Sequence, residues 1–436
     1  MMRALLVLVL LLVLAPDASA ASWGGFHAPG TPAEYNRVSA VKVGPASARN
    51  VLVLVPGTQA GAGYMLPFAR DLVAARRGWQ VWVVERRENL LEDHSRLTGA
   101  SPQAMFDYYL GWIGQSNPGP HFQPADAPFA RSWGMRVAVE DLRVVVRAAA
   151  RGGRHVVLGG HSLGATIAVA YATWDFGGRA GARDLSGLVL IDGGSSSSLS
   201  AADARKQLAG LKSGSPFLDL VGLNLPWVTG VLAAVGSTLA LRVPDEPAVL
   251  DSWALLPPTL RPPVPVTNRA AFGYALDART GPAQLALVQS HIGHLADTGA
   301  PRGWVDTGPA TVERAATALS VAGKVDGTAW YHPRRLSLDA ASVAGGVSNP
   351  AQKILGVRAT HGRDVQIPIY AFETSLGKGR VLKAARTLAR RSHTSVKLID
   401  RSTTYSHCDP LFAAPERNDF LKTLVPFLTR IPRTAR

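Results

Sequence analysis

The sequence predicts an α/β fold in which a mostly parallel sheet is flanked by helices. Short apolar runs such as VLVLV at 51–55 and QVWVVE at 80–85 alternate with segments of helical spacing. Runs that are apolar throughout are typical of parallel strands buried on both faces. Strands that alternate with helices indicate right-handed crossovers within one sheet. The alternation lapses in the middle of the chain and then resumes, which predicts an insertion within a single sheet.

The other elements follow from the same two patterns. Further strands are predicted at 155–158, 187–191, 367–372 and 396–399, and helices at 65–77, 135–150, 165–172, 379–391 and 417–429. The middle segment is rich in proline, glycine and serine and predicts a mainly helical cap between strands 6 and 7, over the edge where open α/β sheets bind ligands. The predicted organisation is a signal peptide at 1–20, a first part of the core at 21–195, the cap or lid at 196–365, and a second part of the core at 366–436.

The first residues, MMRALLVLVLLLVLAPDASA, have the pattern of a cleavable signal peptide. Arg3 supplies the positive charge, residues 4–14 are apolar, and Ala18-Ser19-Ala20 is a small-residue cleavage site. The alternative is a membrane anchor, but the apolar run is shorter than the roughly 20 residues that span a bilayer. We therefore predict cleavage after Ala20 and a secreted protein with no transmembrane segment.

Composition excludes several classes of protein. The 436 residues are 47% hydrophobic and 18% charged, and the single cysteine, Cys408, cannot form an internal disulfide. The formal net charge is +15, but the sequence has no dense basic run interleaved with aromatic residues, so we predict no nucleic-acid partner. The charge is compatible with weak adsorption to an anionic cell envelope. The sequence defines no oligomeric state.

The stretch VVLGGHSLGATIAVAYATW at 156–174 carries the chemistry. Gly160, Ser162 and Gly164 match G-x-S-x-G, between a predicted buried strand and a predicted helix of small residues. A serine on such a sharp turn must adopt a strained backbone, and the flanking glycines remove the side chains that would collide there. The hydroxyl then stands clear at the helix N-terminus, where N–H groups favour negative charge. The pattern predicts a nucleophilic serine, as opposed to a glycine-rich structural turn.

With these residues the chain resembles the α/β-hydrolase superfamily, in its serine esterase and lipase branch. The resemblance covers roughly 51–195 and 367–436 and implies the order nucleophile, acid, histidine. It implies that His407, on the loop after the last strand, is the base that activates Ser162. The acid is expected after the next-to-last strand, where Glu373 is the first choice, and Asp192 at the end of GLVLI is the alternative.

The resemblance also implies an oxyanion hole made of backbone donors. One donor is expected to be the N–H of Leu163, and the other the N–H of Thr58 in the loop PGTQAGAG, with Gln59 next. Arg86 and Arg87 follow a neighbouring strand and are candidates for the border of the site. His291, His294 and Asp297 lie in no zinc-enzyme motif, so we predict no metal and no cofactor.

The predicted function is that of a secreted hydrolase of carboxylic esters, with a small-molecule or lipid-like ester as substrate. In this reading Ser162 forms an acyl-enzyme, and His407 is the general base and acid. The alternatives are an aminopeptidase or acyltransferase of the same fold and a non-catalytic binding protein built on it. Epoxide and halide chemistry is disfavoured because the relatives that perform it carry aspartate at the position of Ser162.

Overall fold

The protein is built on one eight-stranded, mostly parallel sheet, as expected. The computed structural model describes residues 18–114, 119–194, 199–220, 222–321 and 325–431. The sheet order is β1-β2-β4-β3-β5-β6-β9-β10, and only the β1–β2 and β2–β4 pairs are antiparallel. These strands are β1 Ala18–Gly24, β2 Arg37–Val43, β3 Asn50–Val55, β4 Trp79–Glu85, β5 His155–His161, β6 Gly187–Ile191, β9 Ile369–Glu373 and β10 Val396–Asp400.

Helices cover both faces of this sheet, and a small hairpin stands apart from it. The helices are α1 Leu66–Ala75, α2 Pro102–Phe106, α3 Met135–Ala149, α4 Leu163–Thr173, α5 Ala201–Ser213, α6 Val228–Arg242, α7 Asn268–Leu276, α8 Val312–Leu319, α9 Arg334–Ala340, α10 Pro350–Leu355, α11 Arg380–Ser392, α12 Asp409–Phe412 and α13 Asp419–Arg430. The hairpin pairs β7 Gly293–Gly299 with β8 Arg302–Asp306. Helix α4 is apolar on nearly all sides, as befits a helix enclosed between the sheet and its neighbours.

The central strands divide the core into two layers because successive side chains point to opposite faces. On β3, Val53 and Val55 join the layer that packs on α3, α4 and α11, whereas Leu52 and Leu54 join the layer under α1 and α13. All four side chains are buried. The apolar runs of the sequence therefore mark strands covered on both faces.

The insertion lies between β6 and β9, the sixth and seventh strands of the large sheet, as predicted. Its helices α5 to α10 pack with segments of the core, and α6 lies in a third buried cluster with side chains of residues 91–137. Phe272 and Val312 pack with the layer under α1, while Leu336 and Ala351 pack with the layer under α3 and α4. The insertion thus extends the core down both sides of the sheet as well as covering its carboxyl edge.

The N-terminal prediction falls partly outside the described residues, which begin at Ala18. Ala18 to Ala20, the end of the predicted signal peptide, form the start of β1 and pair with 41–43 of β2. Cleavage after Ala20 would leave the pairing of 21–24 with 37–40 intact. Within the described part of the chain, no helix combines the length and the apolar character needed to cross a membrane.

Candidate active site

Ser162 sits on a sharp turn between β5 and α4, and its backbone is strained. Its φ of 56° and ψ of −122° lie in a region that L-residues rarely adopt. A Cβ on Gly160 would lie 2.2 Å from the carbonyl carbon of Gly164, and one on Gly164 would lie 1.9 Å from the Val55 oxygen. A Cβ on Gly193, after β6, would lie 2.0 Å from the Ser162 carbonyl oxygen. Glycine at these three positions therefore lets the turn exist, as the motif predicts for two of them.

His407 is held by Asp192, and this corrects the predicted choice of acid. His407 Nδ1 lies 2.6 Å from Asp192 Oδ2, and both residues are buried. Burial alone would raise the pKa of Asp192, but the hydrogen bond and charge of His407, with hydrogen bonds from Thr374, lower it below its usual value. Asp192 is thus an ionised acceptor that keeps a proton on Nδ1 and leaves Nε2 to act as a base.

Glu373 was the first choice for this acid, and the structure places its carboxylate elsewhere. Its oxygens accept hydrogen bonds from the backbone N–H groups of Gly379 and Leu382, the latter at 2.8 Å. Both donors belong to the start of α11. Glu373 therefore accepts hydrogen bonds from N–H groups that have no partner within that helix, and its negative charge interacts favourably with the positive end of the helix dipole. The longer glutamate side chain reaches the helix, whereas Asp192, next to it in the sheet, faces His407.

Ser162 and His407 line the same cavity, together with Gly57, Thr58 and Gln59 from the loop after β3. His407 Nε2 is buried and has no hydrogen-bond partner among the described residues. Gly57 lies against the serine, since a Cβ added there would be 3.1 Å from Ser162 Cβ. The arrangement brings an unpaired imidazole nitrogen, the strained serine and a backbone loop to one place.

The backbone donors predicted for an oxyanion hole are available at this cavity. The N–H groups of Leu163 and Thr58 have no acceptor in the part of the chain that the structure describes. Leu163 opens α4, whose first N–H groups have no intrahelical partner and carry the positive end of the helix dipole. The Gln59 side-chain amide donates to Pro226 O at 3.3 Å and accepts from the Thr229 hydroxyl at 2.8 Å, and its backbone N–H, the alternative donor, also has no acceptor among the described residues.

Arg86 fixes the loop that carries Thr58. Its guanidinium donates to the carbonyls of Pro56 at 2.8 Å, Gly57 at 3.0 Å and Ala60 at 3.3 Å, and Glu88 pairs with it at 2.5 Å. Arg86 is buried, so these bonds form away from water. Sequence reasoning placed Arg86 at the border of the site but had no signal for this role, because its partners are backbone carbonyls.

A second histidine, His161, contacts the backbone of the loop that carries His407. His161 Nε2 lies 2.8 Å from the His407 carbonyl oxygen, and His161 Nδ1 lies 2.9 Å from Tyr64 Oη. A carbonyl only accepts, so Nε2 carries the proton and Nδ1 accepts from the tyrosine. Burial, and then the charge of His407, lower the pKa of His161 to about 3 and keep it neutral. His161 thus anchors the backbone of the loop that presents the His407 imidazole.

Most of the remaining wall of the cavity is apolar and comes from the insertion. Its walls include the leucines at 220, 223, 232, 239, 255, 256, 260 and 276, with Phe272 and Val288. Leu223 and Leu255 are 58% and 52% exposed, which places apolar side chains at the solvent border of the cavity. The cavity therefore has a polar end, where Ser162 and His407 lie, and a largely apolar wall.

The remaining sequence candidates have other roles. His291 pairs with Asp409 at 2.7 Å, and His294 is exposed and contacts the Leu295 carbonyl oxygen, so these two histidines do not converge. Arg87 forms a buried ion pair with Asp141 at 2.7 Å. Cys408 is fully buried against Tyr64, 3.1 Å from its hydroxyl, and is a packed side chain.

Comparison with known proteins shows the fold to be that of the α/β-hydrolases. A putative lipase from Sulfolobus solfataricus has a TM-score of 0.50 and 13% identity, covering 95% of this chain and 94% of that one. A thioesterase domain from the curacin biosynthetic pathway has a TM-score of 0.43, 14% identity and coverages of 95% and 99%. A monoglyceride lipase from Saccharomyces cerevisiae has a TM-score of 0.39 and 12% identity, covering 97% of this chain and 98% of that one. No protein-family model matches the sequence, and no curated protein matches it.

Proposed function

We propose that the protein is a serine hydrolase of carboxylic esters. The observation that carries the proposal is the hydrogen bond from His407 Nδ1 to Asp192, with Nε2 unpaired in the cavity where the strained turn presents Ser162. An imidazole nitrogen that is free to accept the serine proton can turn a weak hydroxyl nucleophile into a reactive one. The serine at this turn also favours acyl transfer over halide displacement.

The geometry supports a two-stage reaction. Ser162 Oγ attacks the ester carbonyl carbon while His407 Nε2 takes the hydroxyl proton, and the Leu163 and Thr58 N–H groups stabilise the oxyanion. The carbon–oxygen bond to the alcohol breaks, and Nε2–H gives its proton to the leaving oxygen. Water then attacks the acyl-enzyme, with Nε2 again accepting and returning a proton. Asp192 stays ionised throughout and stabilises the imidazolium.

The apolar wall supports an ester with a long, water-poor acyl chain. Each methylene that an apolar pocket binds contributes about 1–3 kcal/mol to discrimination. The leucines that line the cavity offer such contacts beyond the catalytic end, and few polar side chains interrupt them. We therefore propose a lipase-like substrate class within the esters.

The test is hydrolysis of p-nitrophenyl esters by the wild-type protein and by Ser162→Ala. We expect the variant to lose about 10⁴-fold or more in kcat, and a fluorophosphonate probe to label the wild type at Ser162 and leave the variant unlabelled. Equal activity in both proteins would overturn the proposal. Labelling of Ser162 without ester hydrolysis would direct attention to amides or to transfer onto an added alcohol, and the absence of labelling to a binding role.

Acyl-chain dependence tests the substrate class separately. We expect Leu223→Asp and Leu255→Asp to lower kcat/KM for long-chain esters by about 10-fold, with little change for the acetate, because a charge at the cavity border disfavours apolar chains. Leu90→Asp is the matched control, since Leu90 is 47% exposed and does not line the cavity. A fall in acetate and long-chain rates alike would contradict the assignment of the wall to the acyl chain.

A further inference from the structure

A second convergent cluster of polar side chains lies outside the active site. Glu92 and His94 follow β4, and Asp326 belongs to the insertion. One atom of each, Glu92 Oε2, His94 Nε2 and Asp326 Oδ2, lies within 4.8 Å of the other two. Nε2 is 2.9 Å from the Glu92 oxygen and 3.0 Å from the Asp326 oxygen. The three side chains therefore meet at one point where the core touches the insertion.

Backbone hydrogen bonds hold both carboxylates in place. Glu92 Oε1 accepts from the Trp330 N–H at 2.7 Å, and Asp326 Oδ1 accepts from the Thr328 N–H at 2.8 Å and the Thr328 hydroxyl at 3.1 Å. Each carboxylate thus has one oxygen fixed by donors of its own and one directed at His94. Ligand carboxylates and imidazoles in metal sites are oriented by such outer contacts.

The oxygen that Asp326 directs at His94 lacks a partner of its own. The Asp326 side chain is 1% exposed and that of Glu92 is 0% exposed. Although Asp326 Oδ2 lies 3.0 Å from Nε2, it has no aligned hydrogen bond to any described residue. Asp326 Oδ2 is therefore placed as a metal ligand would be, close to the other two atoms but without a hydrogen bond to them.

A third buried carboxyl group, that of Glu85, lies near the cluster. Glu85 is close enough for its charge to interact with those of Glu92 and Asp326, and its Oε1 is buried without a partner among the described residues. In the described part of the chain, neither lysine nor arginine forms an ion pair with Glu92 or Asp326. Buried carboxylates are normally paired with a cation or coordinate a metal.

We propose that Glu92 Oε2, His94 Nε2 and Asp326 Oδ2 bind a divalent transition-metal cation of the Zn²⁺ class. Ligands about 2.0–2.2 Å from a tetrahedral zinc are separated by roughly 3.3–3.6 Å, so the two distances from His94 Nε2, 2.9 Å and 3.0 Å, need to open by only a few tenths of an ångström. A mixed imidazole and carboxylate set suits zinc better than calcium or magnesium, which take oxygen ligands. His94 is partly exposed, which leaves a path for the ion and a position for water.

The ion would tie the insertion to the loop that carries the oxyanion donor. The Gly63 N–H donates to Asp326 O at 2.8 Å, the Gly61 N–H to Gly327 O at 3.2 Å, and the Ala329 N–H to Gln59 O at 2.9 Å. The segment that follows the Asp326 ligand is thus paired along the loop after β3. The proposed site is structural and is independent of the reaction at Ser162. It departs from the sequence analysis, which predicted no metal.

The test is metal binding by the tag-free, full-length protein after treatment with a chelator. We expect the folded wild type, dialysed against Zn²⁺, to retain one equivalent by elemental analysis and to gain in Tm, since an ion that binds only the folded state stabilises it. His94→Ala and Asp326→Asn should lose both effects. His294→Ala is the matched control, because that exposed histidine contacts only a backbone carbonyl in the described structure, and it should bind like the wild type.

Two results would overturn the proposal. One is a stripped wild type that is folded by circular dichroism and binds no Zn²⁺, and the other is retention of the full equivalent by both His94→Ala and Asp326→Asn. Because the first measurement uses the wild type alone, a variant that fails to fold does not decide the outcome. Dialysis against Ca²⁺ and Mg²⁺ alone is expected to give no binding, and preferential binding of either would contradict the zinc-class assignment.

Discussion

At the residue scale, the site depends on which of two neighbouring carboxylates reaches the histidine. Asp192 follows β6 and Glu373 ends the adjacent parallel strand β9, and Ile191 is paired with Phe372, so both acids emerge at the same edge of the sheet. Asp192 turns toward His407 from a left-handed backbone with a φ of 44°. Glu373 turns to the N–H groups of α11. The two carboxylates therefore have different partners, the imidazole of His407 for Asp192 and the start of α11 for Glu373.

A pair of isosteric substitutions tests this separation. Asp192→Asn should lower kcat by about 10⁴-fold, because an amide can stabilise the wrong imidazole tautomer and cannot stabilise the imidazolium. Glu373→Gln should leave kcat near the wild-type value and lower the free energy of unfolding by about 1 kcal/mol, since it weakens contacts at a helix N-terminus. The measurements are steady-state kinetics and urea unfolding. A larger loss of kcat in Glu373→Gln than in Asp192→Asn would reverse our assignment.

At the scale of elements, the loop after β3 has to hold its donors without regular structure. Arg86 donates hydrogen bonds to three carbonyls of this loop, and residues 326–329 form backbone hydrogen bonds with it. These contacts take the place of the hydrogen bonds that a neighbouring strand would form. The N–H of Thr58, which lines the cavity, has no acceptor among the described residues. Arg86 therefore positions the loop that carries Thr58, the proposed oxyanion donor.

The substitution Arg86→Gln tests that role. We expect kcat to fall by about 10- to 100-fold, short of the 10²–10³ typical of losing an oxyanion donor outright, with a smaller change in KM. Glu88→Gln is the control, because it removes the partner charge and leaves the guanidinium beside the carbonyls. Titration of active sites with a phosphonate separates the two explanations. Fewer active sites with an unchanged kcat per site would indicate a loss of folded protein and no role in positioning.

At the scale of the whole molecule, side chains of the insertion and of the core share the same buried hydrophobic clusters. Several neutral histidines are buried as well. Burial lowers the pKa of His121 to about 4 and those of His161 and His332 to about 3, with smaller effects from neighbouring charges and hydrogen bonds. The unfolded chain takes up protons on these groups near pH 6.5. Their contribution to stability is therefore complete above about pH 6.5 and is lost as the pH falls toward the folded pKa values.

His332 gives the clearest test because it lies outside the active site and contacts Ser337 Oγ at 2.9 Å. Replacing it with glutamine should make the free energy of unfolding less dependent on pH between about 6 and 4, by up to about 1.4 kcal/mol per pH unit. The measurement is urea unfolding at several pH values. His294→Gln, at an exposed position, should keep the wild-type slope. An unchanged slope in His332→Gln would contradict the burial of a neutral imidazole there.

Much of the fold was predictable because its signals are local. Mainly apolar runs predicted the six parallel strands of the large sheet, and the spacing of glycines around Ser162 predicted the turn. The sequence analysis missed β1 and β2, whose burial alternates or is slight, because they lie at the antiparallel side of the sheet. It also missed the cluster of Glu92, His94 and Asp326, since the third member is far away along the chain.

What the sequence by itself determined is the six parallel strands and the strained serine, because hydrophobic period and glycine sterics act within a few residues. The order of serine and histidine is what the resemblance to the α/β-hydrolases implies. Only the tertiary structure decided that Asp192 and not Glu373 meets His407, and that Arg86 and His161 support the site. Those choices depend on side-chain direction and on backbone carbonyls brought together from distant segments. Neither leaves a pattern in the order of residues.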